Sequence, residues 1–274
     1  MQVFSPREVI DNYAQAARRK TERSAGGLLA LAVLAGALIA FGSVATNTAA
    51  HALPSVSLQR IASALIFPFG LGMLMLTGTE LFTGNMLLVM PVLSRRISLM
   101  AMLRNWALVY LGNAIGSVIV AACCVFCGQL ELSGGELAVY TMRIAAAKNS
   151  LPFINALVLG VLCNVLVCVA VLCSLSAKDT PGRIMGAYLP VAFFVLCGFE
   201  HCVANFYAIP AGMFAAMVPR YADLARAAGV NLEALTVGRL LFTNQVPVVL
   251  GNVIGGALVG VVMWGTQGRD GSVQ

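Results

Sequence analysis

Charged side chains are scarce in this sequence. Only 10% of its residues are Asp, Glu, Lys or Arg and 59% are hydrophobic, whereas an average soluble domain is about 25% charged. A soluble globular fold is therefore excluded. Histidine is scarcer still: His51 falls in a loop and His201 in an apolar run. One chain thus has no pair of histidines for a haem and no multi-histidine metal site. We expect neither an enzyme nor a cofactor.

Several familiar patterns are also missing. No secretory signal fits the N-terminus, because its polar stretch is too long and no cleavage site follows. The eight cysteines lie inside apolar runs, and the C-x-x-C pair Cys124 and Cys127 lacks further ligands. We therefore interpret the cysteines as small packing residues. Neither half contains the Asn-Pro-Ala motif of aquaporins, which disfavours a pore for neutral solutes.

Six long apolar runs dominate the chain. A helix needs about 20 apolar residues to cross a bilayer, and six stretches satisfy this requirement: Gly26–Thr48, Ile61–Leu81, Leu103–Cys127, Leu151–Ser174, Met185–Tyr207 and Phe242–Trp264. The sequence predicts an all-α membrane protein with a channel domain over 26–265. Residues 1–25 would precede that domain as an N-terminal helix, and 266–274 would follow it as a tail.

The lysines and arginines between the runs predict the orientation in the membrane. With six spans both termini share one side, which carries eleven of these residues against six on the other side. Positive residues concentrate on the cytoplasmic side, so we expect both termini in the cytoplasm. The net charge of +6 reflects this topology, and it indicates lipid rather than nucleic acid as a partner.

The two halves of the sequence repeat the same motifs in the same order. "GTELFTGN" (78–85) and "GFEHCVAN" (198–205) both read G-x-E-x-x-x-x-N. "NWALVYLGNAIG" (105–116) and "NQVPVVLGNVIG" (244–255) share two asparagines, and a weaker A-x-x-x-G match links Ala32 with Ala156. Each half has three spans, so the second copy enters the membrane from the opposite side. The sequence therefore predicts inverted repeats.

The first shared motif predicts a break in the second and fifth spans. A charge at membrane depth costs roughly 2.5–3.5 kcal/mol, yet Glu80 and Glu200 lie within apolar runs. Irregular backbone persists at that depth only where protein buries it or water reaches it. We expect both breaks to line a pore, with bracing of the loops as the alternative role of the two glutamates.

The N-terminus predicts an amphipathic helix. Ser5-Pro-Arg-Glu8 is a capping box with proline at the first helical position. Apolar residues follow at helical spacing, with basic residues close by: Ile10, Tyr13, Ala14 and Ala17, then Arg18, Arg19 and Lys20. This pattern is typical of a helix on a membrane surface, acting as an anchor or a contact between protomers.

At these residues the chain resembles the formate/nitrite transporter family of bacterial anion channels. The motifs that carry the resemblance are "FPFGLGMLMLTGTELFTGN" (67–85), "GFEHCVANFYAIPAG" (198–212) and "NQVPVVLGNVIGGALVG" (244–260). It extends over nearly the whole chain. It implies an aquaporin-like protomer, a homopentamer with a separate pore in each protomer, and a place in the bacterial inner membrane. The N-terminal helix resembles a pH-responsive cover of the cytoplasmic mouth.

The resemblance also implies the residues of the pore. His201 matches the central pore histidine, Thr83 the threonine that faces it, and Lys148 a lysine of the vestibule. The apolar constriction matches Leu71, Leu81, Phe82 and Phe194. The remaining polar residues of the pore match Glu200, Asn205 and Asn252.

From these residues we expect a channel or channel-like transporter for a small monovalent anion. Formate is the first choice, nitrite and hydrosulfide are alternatives, and a neutral-solute pore is the runner-up class. An apolar constriction penalises a charged solute, whereas Lys148 would raise the local concentration of anions. A histidine titrates near neutral pH, so His201 would exchange a proton with the substrate. Protons are therefore expected partners.

Overall fold

The computed structural model describes residues 3–268, and the helices among them follow one another along the chain. They are α1 (Pro6–Glu22), α2 (Ala25–Ala50), α3 (Val56–Ile66), α4 (Pro68–Thr77), α5 (Val89–Leu93), α6 (Leu99–Phe126), α7 (Glu136–Lys148), α8 (Phe153–Ser176), α9 (Thr180–Cys197), α10 (Cys202–Ala216), α11 (Pro219–Ala227), α12 (Val237–Arg239) and α13 (Val246–Gln267). Within this part of the chain six helical segments are long and apolar enough to cross a membrane. The predicted fold class is confirmed.

The second and fifth spans are broken where the repeated motif lies. Helix α4 is capped at its C-terminal end by Gly78 with φ 65°, and α9 is capped by Gly198 with φ 72°. Both values lie in the left-handed region that glycine adopts without strain. The predicted span Met185–Tyr207 therefore contains the end of one helix, the break and the start of another.

The chain continues differently after the two breaks. In the first half a 3₁₀ turn over Gly84–Leu88 leads into the five-residue α5. In the second half α10 is fifteen residues long, and the chain then bends by 100° into α11. The sequence did not predict this difference in length.

The first and third spans of each half pack closely through glycine. A Cβ on Gly116 of α6 would meet the carbonyl oxygen of Val33 in α2, and one on Gly255 of α13 would meet that of Val161 in α8. Val33 and Val161 are therefore counterparts. The alignment of Ala32 with Ala156 would instead pair Val33 with Leu157, so that alignment is wrong by four residues, about one helical turn.

A short helix precedes the three spans of each half. Helix α1 precedes α2 with Lys20 in its last turn, and α7 precedes α8 with Lys148 in its last turn. The sequence did not predict α7. The repeated unit is therefore a short helix followed by three spans, the second of which is broken.

Helix α1 begins as predicted. The Ser5 Oγ accepts a hydrogen bond from the Glu8 N–H at 3.3 Å, and a Glu8 carboxylate oxygen accepts one from the Ser5 N–H at 2.7 Å. The Phe4 N–H also donates to the Ser176 carbonyl at 2.8 Å. The predicted apolar face of α1 is buried. Most of the predicted tail over 266–274 lies outside the described residues.

Candidate pore and its polar clusters

Two cavities among the described residues border the breaks. The Lys148 cavity, of about 720 Å³, is lined among others by Lys148, Phe194, Glu200, His201 and Asn205. The Lys20 cavity, of about 150 Å³, is lined by Tyr13, Lys20, Leu71, Leu74, Met75, Gly78, Thr79, Leu81, Gly84, Asn85, Val171 and Leu175. Among the described residues none lines both cavities, so a layer of protein separates them.

Side chains from the two breaks and from the helices that precede them form that separating layer, which we call the waist: Leu71, Leu81, Thr83, Phe194 and His201. Leu71 and Leu81 close the Lys20 cavity, whereas His201 and Phe194 close the Lys148 cavity. The His201 ring stacks on Phe194, with their centroids 5.9 Å apart and their planes 11° apart. Thr83, which forms a hydrogen bond with His201, lines neither cavity and is completely buried. The waist is therefore apolar except for one imidazole and one hydroxyl.

The hydrogen bonds of His201 fix its tautomer. His201 is the N-cap residue of α10, and its Nδ1 accepts the Ala204 N–H at 3.1 Å. Because a backbone N–H can only donate, Nδ1 carries no proton, and the neutral ring holds its proton on Nε2. Nε2 then donates to the Thr83 Oγ1 at 2.9 Å. Thr83 accepts in this bond and keeps its own hydroxyl hydrogen for another acceptor.

Lys148 belongs to a buried polar cluster. Its ammonium lies 2.8 Å from one carboxylate oxygen of Glu200, and the Asn205 amide donates to the other at 2.7 Å. The same amide donates to the Asn244 Oδ1 at 2.9 Å. Asn244 lies in a π-helical turn in the first part of the sixth span. An ion pair and the side chains of two asparagines therefore stabilise the loop at the second break.

The first half builds a matching cluster that sequence reasoning missed. Lys20 of α1 donates to Glu80 at 2.9 Å and to the Asn85 Oδ1 at 3.0 Å. The Asn85 amide donates to Glu80 and to the Asn105 Oδ1, both at 2.8 Å. The position of Lys20 ahead of the first span, like that of Lys148 ahead of the fourth, could have identified it.

A second asparagine pair braces the loops of the two breaks. The Asn113 amide donates to the carbonyls of Ala32 and Glu80, and its Oδ1 accepts the Phe82 N–H at 2.8 Å. Asn252 repeats this arrangement with the carbonyls of Gly160 and Glu200 and the Cys202 N–H. Backbone groups freed by each break are therefore satisfied within the protein.

The remaining predicted pore residues divide into two groups. Leu71, Leu81 and Phe194 line a cavity, as do the polar residues Glu200 and Asn205. Two residues line neither cavity: Phe82 packs on Tyr110 with ring centroids 5.0 Å apart, and Asn252 is completely buried behind the loop. Their contacts with the loops and neighbouring helices match a supporting role at the waist.

Two arginines that the sequence did not single out also line the Lys148 cavity. Arg60 and Arg143 are exposed within the protomer, and no ion pair joins either of them to a carboxylate between residues 3 and 268. The charge of Lys148 is matched by Glu200. The unmatched positive charge in this cavity therefore comes from the arginines.

Comparison with known proteins agrees with this geometry. The sequence profile of the formate/nitrite transporter family matches residues 7–265. The chain belongs to the formate/nitrite transporter family. It is 35% identical to the formate channel FocA of Haemophilus influenzae over 82% of this chain and 81% of that protein. The family relatives are channels and transporters, not enzymes.

Solved structures of family members have the same fold. A pentameric formate channel with formate bound is 32% identical and superposes with a TM-score of 0.78, covering 88% of this chain and 95% of that one. An FNT family ion channel is 27% identical with a TM-score of 0.82, covering 94% and 98%. The aquaporin-like arrangement of inverted repeats with broken helices is therefore common to this chain and its family.

Proposed function

We propose that the protein is a channel for a small monovalent anion, with formate as its first substrate. The observation that carries this proposal is the waist, where apolar walls surround one imidazole N–H and one hydroxyl. Family membership and the names of the relatives support an anion of this class. We further propose that the protein lies in the bacterial inner membrane with both termini in the cytoplasm.

The proposed assembly is a homopentamer with one pore in each protomer. The similarity to a pentameric formate channel supports it. Large apolar side chains on the outer faces of the spans, such as Phe41, Phe193 and Phe242, are at least half exposed in the isolated protomer. In a bilayer such residues contact lipid or a neighbouring protomer.

On the proposed path an anion first meets the charges of the Lys148 cavity and then the polar groups of the waist. Arg60 and Arg143, the unmatched positive charges of the Lys148 cavity, raise the local concentration of anions there. At the apolar constriction the anion loses water, which penalises its charged form. The Nε2–H of His201 and the hydroxyl of Thr83 then supply hydrogen bonds in place of that water.

We also propose that the substrate exchanges a proton at His201 and crosses the constriction as its neutral acid. An imidazolium has no acceptor nitrogen. The ring must therefore release the Ala204 N–H when Nδ1 takes up a proton, and the cap of α10 is lost while the ring is charged. Transport would then depend on pH, because protonation competes with the capping bond.

A flux assay in proteoliposomes tests the substrate class. Formate, nitrite, hydrosulfide and glycerol are compared at several pH values. We expect formate to permeate and glycerol to be excluded. Faster flux of nitrite or hydrosulfide than of formate would change the assigned substrate within the family, and rapid glycerol flux without anion flux would replace the channel class with a neutral-solute pore.

The substitution His201→Asn tests proton exchange. Asparagine is a good N-cap residue and offers amide donors, but it does not titrate. We expect the pH dependence of formate flux to disappear, whereas His51→Gln, a change in a loop, leaves it intact. A wild-type pH profile in His201→Asn would eliminate proton exchange at this residue and leave the channel assignment standing.

A further inference from the structure

Tyr110 of α6 connects the two halves of the protein behind the waist. Its ring packs on Phe82 with the ring centroids 5.0 Å apart, and on Phe206 of α10 with the centroids 5.2 Å apart. Its hydroxyl donates a hydrogen bond to the Gln245 Oε1 at 3.0 Å. Neither Tyr110 nor Gln245 lines a cavity. Any influence of this pair on a passing anion must therefore act through other residues.

Gln245 connects Tyr110 to the residue that follows His201. The Gln245 amide donates to the Cys202 carbonyl at 3.1 Å, and the Cys202 N–H donates to the Asn252 Oδ1 at 3.0 Å. The peptide groups on both sides of Cys202 are therefore held by side chains of the sixth span. Because each peptide group is planar and includes the neighbouring Cα, holding these groups also fixes the position of His201.

On its other side Tyr110 supports the residue that precedes Thr83. The Phe82 N–H is held by the Asn113 Oδ1 at 2.8 Å, and its ring rests on Tyr110. Thr83 and His201 are themselves joined by a hydrogen bond of 2.9 Å. The bond between Tyr110 and Gln245 therefore connects the two loops that carry the polar groups of the waist.

The internal repeat does not account for this bond. In "NWALVYLGNAIG" and "NQVPVVLGNVIG" Tyr110 aligns with Val249 and Gln245 aligns with Trp106. A valine side chain cannot form a hydrogen bond, and the Trp106 indole N–H donates to the Asn85 carbonyl at 2.8 Å within its own half. Gln245 also lies in a π-helical turn, a rare element that is frequent at functional sites. The bond is therefore a feature of the asymmetric centre of the pore.

We propose that Tyr110 and Gln245 are positioning residues that fix the spacing of Thr83 and His201 and thereby limit the size of the anion that the waist accepts. This inference rests on the proposed function, because it assigns selectivity among carboxylates to the same pore. A wider waist requires the two loops to separate, which breaks the bond between Tyr110 and Gln245. Gln245 is only 3% exposed, so the bond lies in a medium of low dielectric, where it is strong.

The substitution Tyr110→Phe tests the proposal with the mildest change. It keeps the ring contacts with Phe82 and Phe206 and removes the hydroxyl. The ratio of acetate to formate permeability, measured with both labelled anions in the same proteoliposomes, should increase roughly two- to tenfold, because widening no longer breaks a buried hydrogen bond. This ratio is independent of the amount of folded channel. A loss of stability alone would therefore leave it unchanged.

Gln245→Met provides a second variant, which keeps the length of the side chain and removes both hydrogen bonds of the amide. It should raise the ratio at least as much as Tyr110→Phe does. Because the hydroxyl acts through Gln245, adding Tyr110→Phe to Gln245→Met should raise the ratio no further. Tyr188→Phe is the matched control, since its hydroxyl donates to the Leu65 carbonyl at 2.8 Å away from the waist. It should keep the wild-type ratio.

The outcomes distinguish this inference from the proposed function. If the wild type conducts formate and both single variants keep its acetate-to-formate ratio, the positioning role is wrong and the channel stands. An equal rise in Tyr188→Phe, or a wild type that conducts acetate as fast as formate, also overturns the positioning role alone. A wild type that conducts neither anion overturns both proposals.

Discussion

In the first half of the protein "LFT" (81–83) follows Glu80, whereas in the second half "HCV" (201–203) follows Glu200. Around these triplets the two halves use the same parts, namely a lysine from a short helix, an asparagine five residues after the glutamate and two further asparagines on the next span. The repeated residues stabilise the loops at both breaks. The residues that differ between the halves, Thr83 and His201, supply the polar groups of the waist. A single pore can thus have matching ends and an asymmetric centre.

The largest expected effect comes from removing the loop braces. Asn113→Ala and Asn252→Ala each remove three hydrogen bonds of a completely buried side chain. Each should lower the free energy of unfolding by roughly 2–5 kcal/mol, because buried backbone groups lose their partners. Thermal unfolding in detergent measures this loss.

Equal losses of unfolding free energy in Asn113→Ala and Asn252→Ala would show that both halves stabilise their breaks with the same bonds. The control Ser57→Ala changes an exposed position early in α3 and should have little effect. If one asparagine can be replaced without loss while the other cannot, the two breaks are not held by the same bonds, and the structural equivalence of the halves fails.

An intermediate effect is expected from Arg60 and Arg143, which line the Lys148 cavity and have no counterpart among the described residues that line the Lys20 cavity. The double variant Arg60→Gln/Arg143→Gln should reduce formate permeability roughly two- to tenfold at low ionic strength, because unmatched charges raise the local anion concentration. The difference should vanish near 1 M salt, where the Debye length is about 3 Å. Flux across planar bilayers with salt added to one side at a time measures this dependence.

The charge-conserving variant Arg60→Lys/Arg143→Lys is the matched control and should keep most of the permeability. Salt added on the side of the Lys148 cavity should lower formate permeability more than salt added on the other side, because it screens the two arginines. Equal sensitivity to salt on both sides would mean that the arginines do not create the asymmetry between the cavities.

The smallest expected effect concerns the start of α1. Hydrogen bonds from the Ser5 backbone and side chain, with the charge of Lys178, lower the pKa of the Glu8 carboxyl. Its stabilising contribution is therefore present above the ordinary glutamate pKa of about 4.3 and is lost as the pH falls through the lowered value. Hydrogen-exchange protection of the first turn of α1 should decrease in acid.

Glu8→Gln provides the control for this prediction, since glutamine completes a capping box without titrating. The first turn of α7, the counterpart of α1, has no side-chain cap and should show no such step. An acid-induced loss of protection that persists in Glu8→Gln would assign the pH sensitivity to another group.

Sequence reasoning located the breaks because they depend on local chemistry. A glutamate inside an apolar run and a glycine at its edge are visible in one stretch, and both breaks lie where "GTELFTGN" and "GFEHCVAN" place them. The six spans follow from hydropathy for the same reason. The resemblance supplied the candidate residues around His201.

The remaining features depend on packing over long distances in the sequence. The pairing of Lys20 with Glu80 joins residues far apart, and α1 and α7 share little sequence apart from their lysines. The one-turn error in aligning Ala32 with Ala156 arose because small residues recur along both helices, and only the contacts with α6 and α13 select the register. The Tyr13 hydroxyl is buried without a hydrogen-bond partner among the described residues, which can be recognised only when its neighbours are known.

Because α1 is the counterpart of α7, it belongs to the repeated structural unit and not to an extension in front of it. A half-length ancestor that was duplicated to give the present chain would already have carried the short lysine-bearing helix in front of its three spans. Translation from an internal start after residue 22, or trimming by a protease at the same place, would spare every membrane-crossing segment. It would nevertheless delete Tyr13 and Lys20, part of the wall of one cavity.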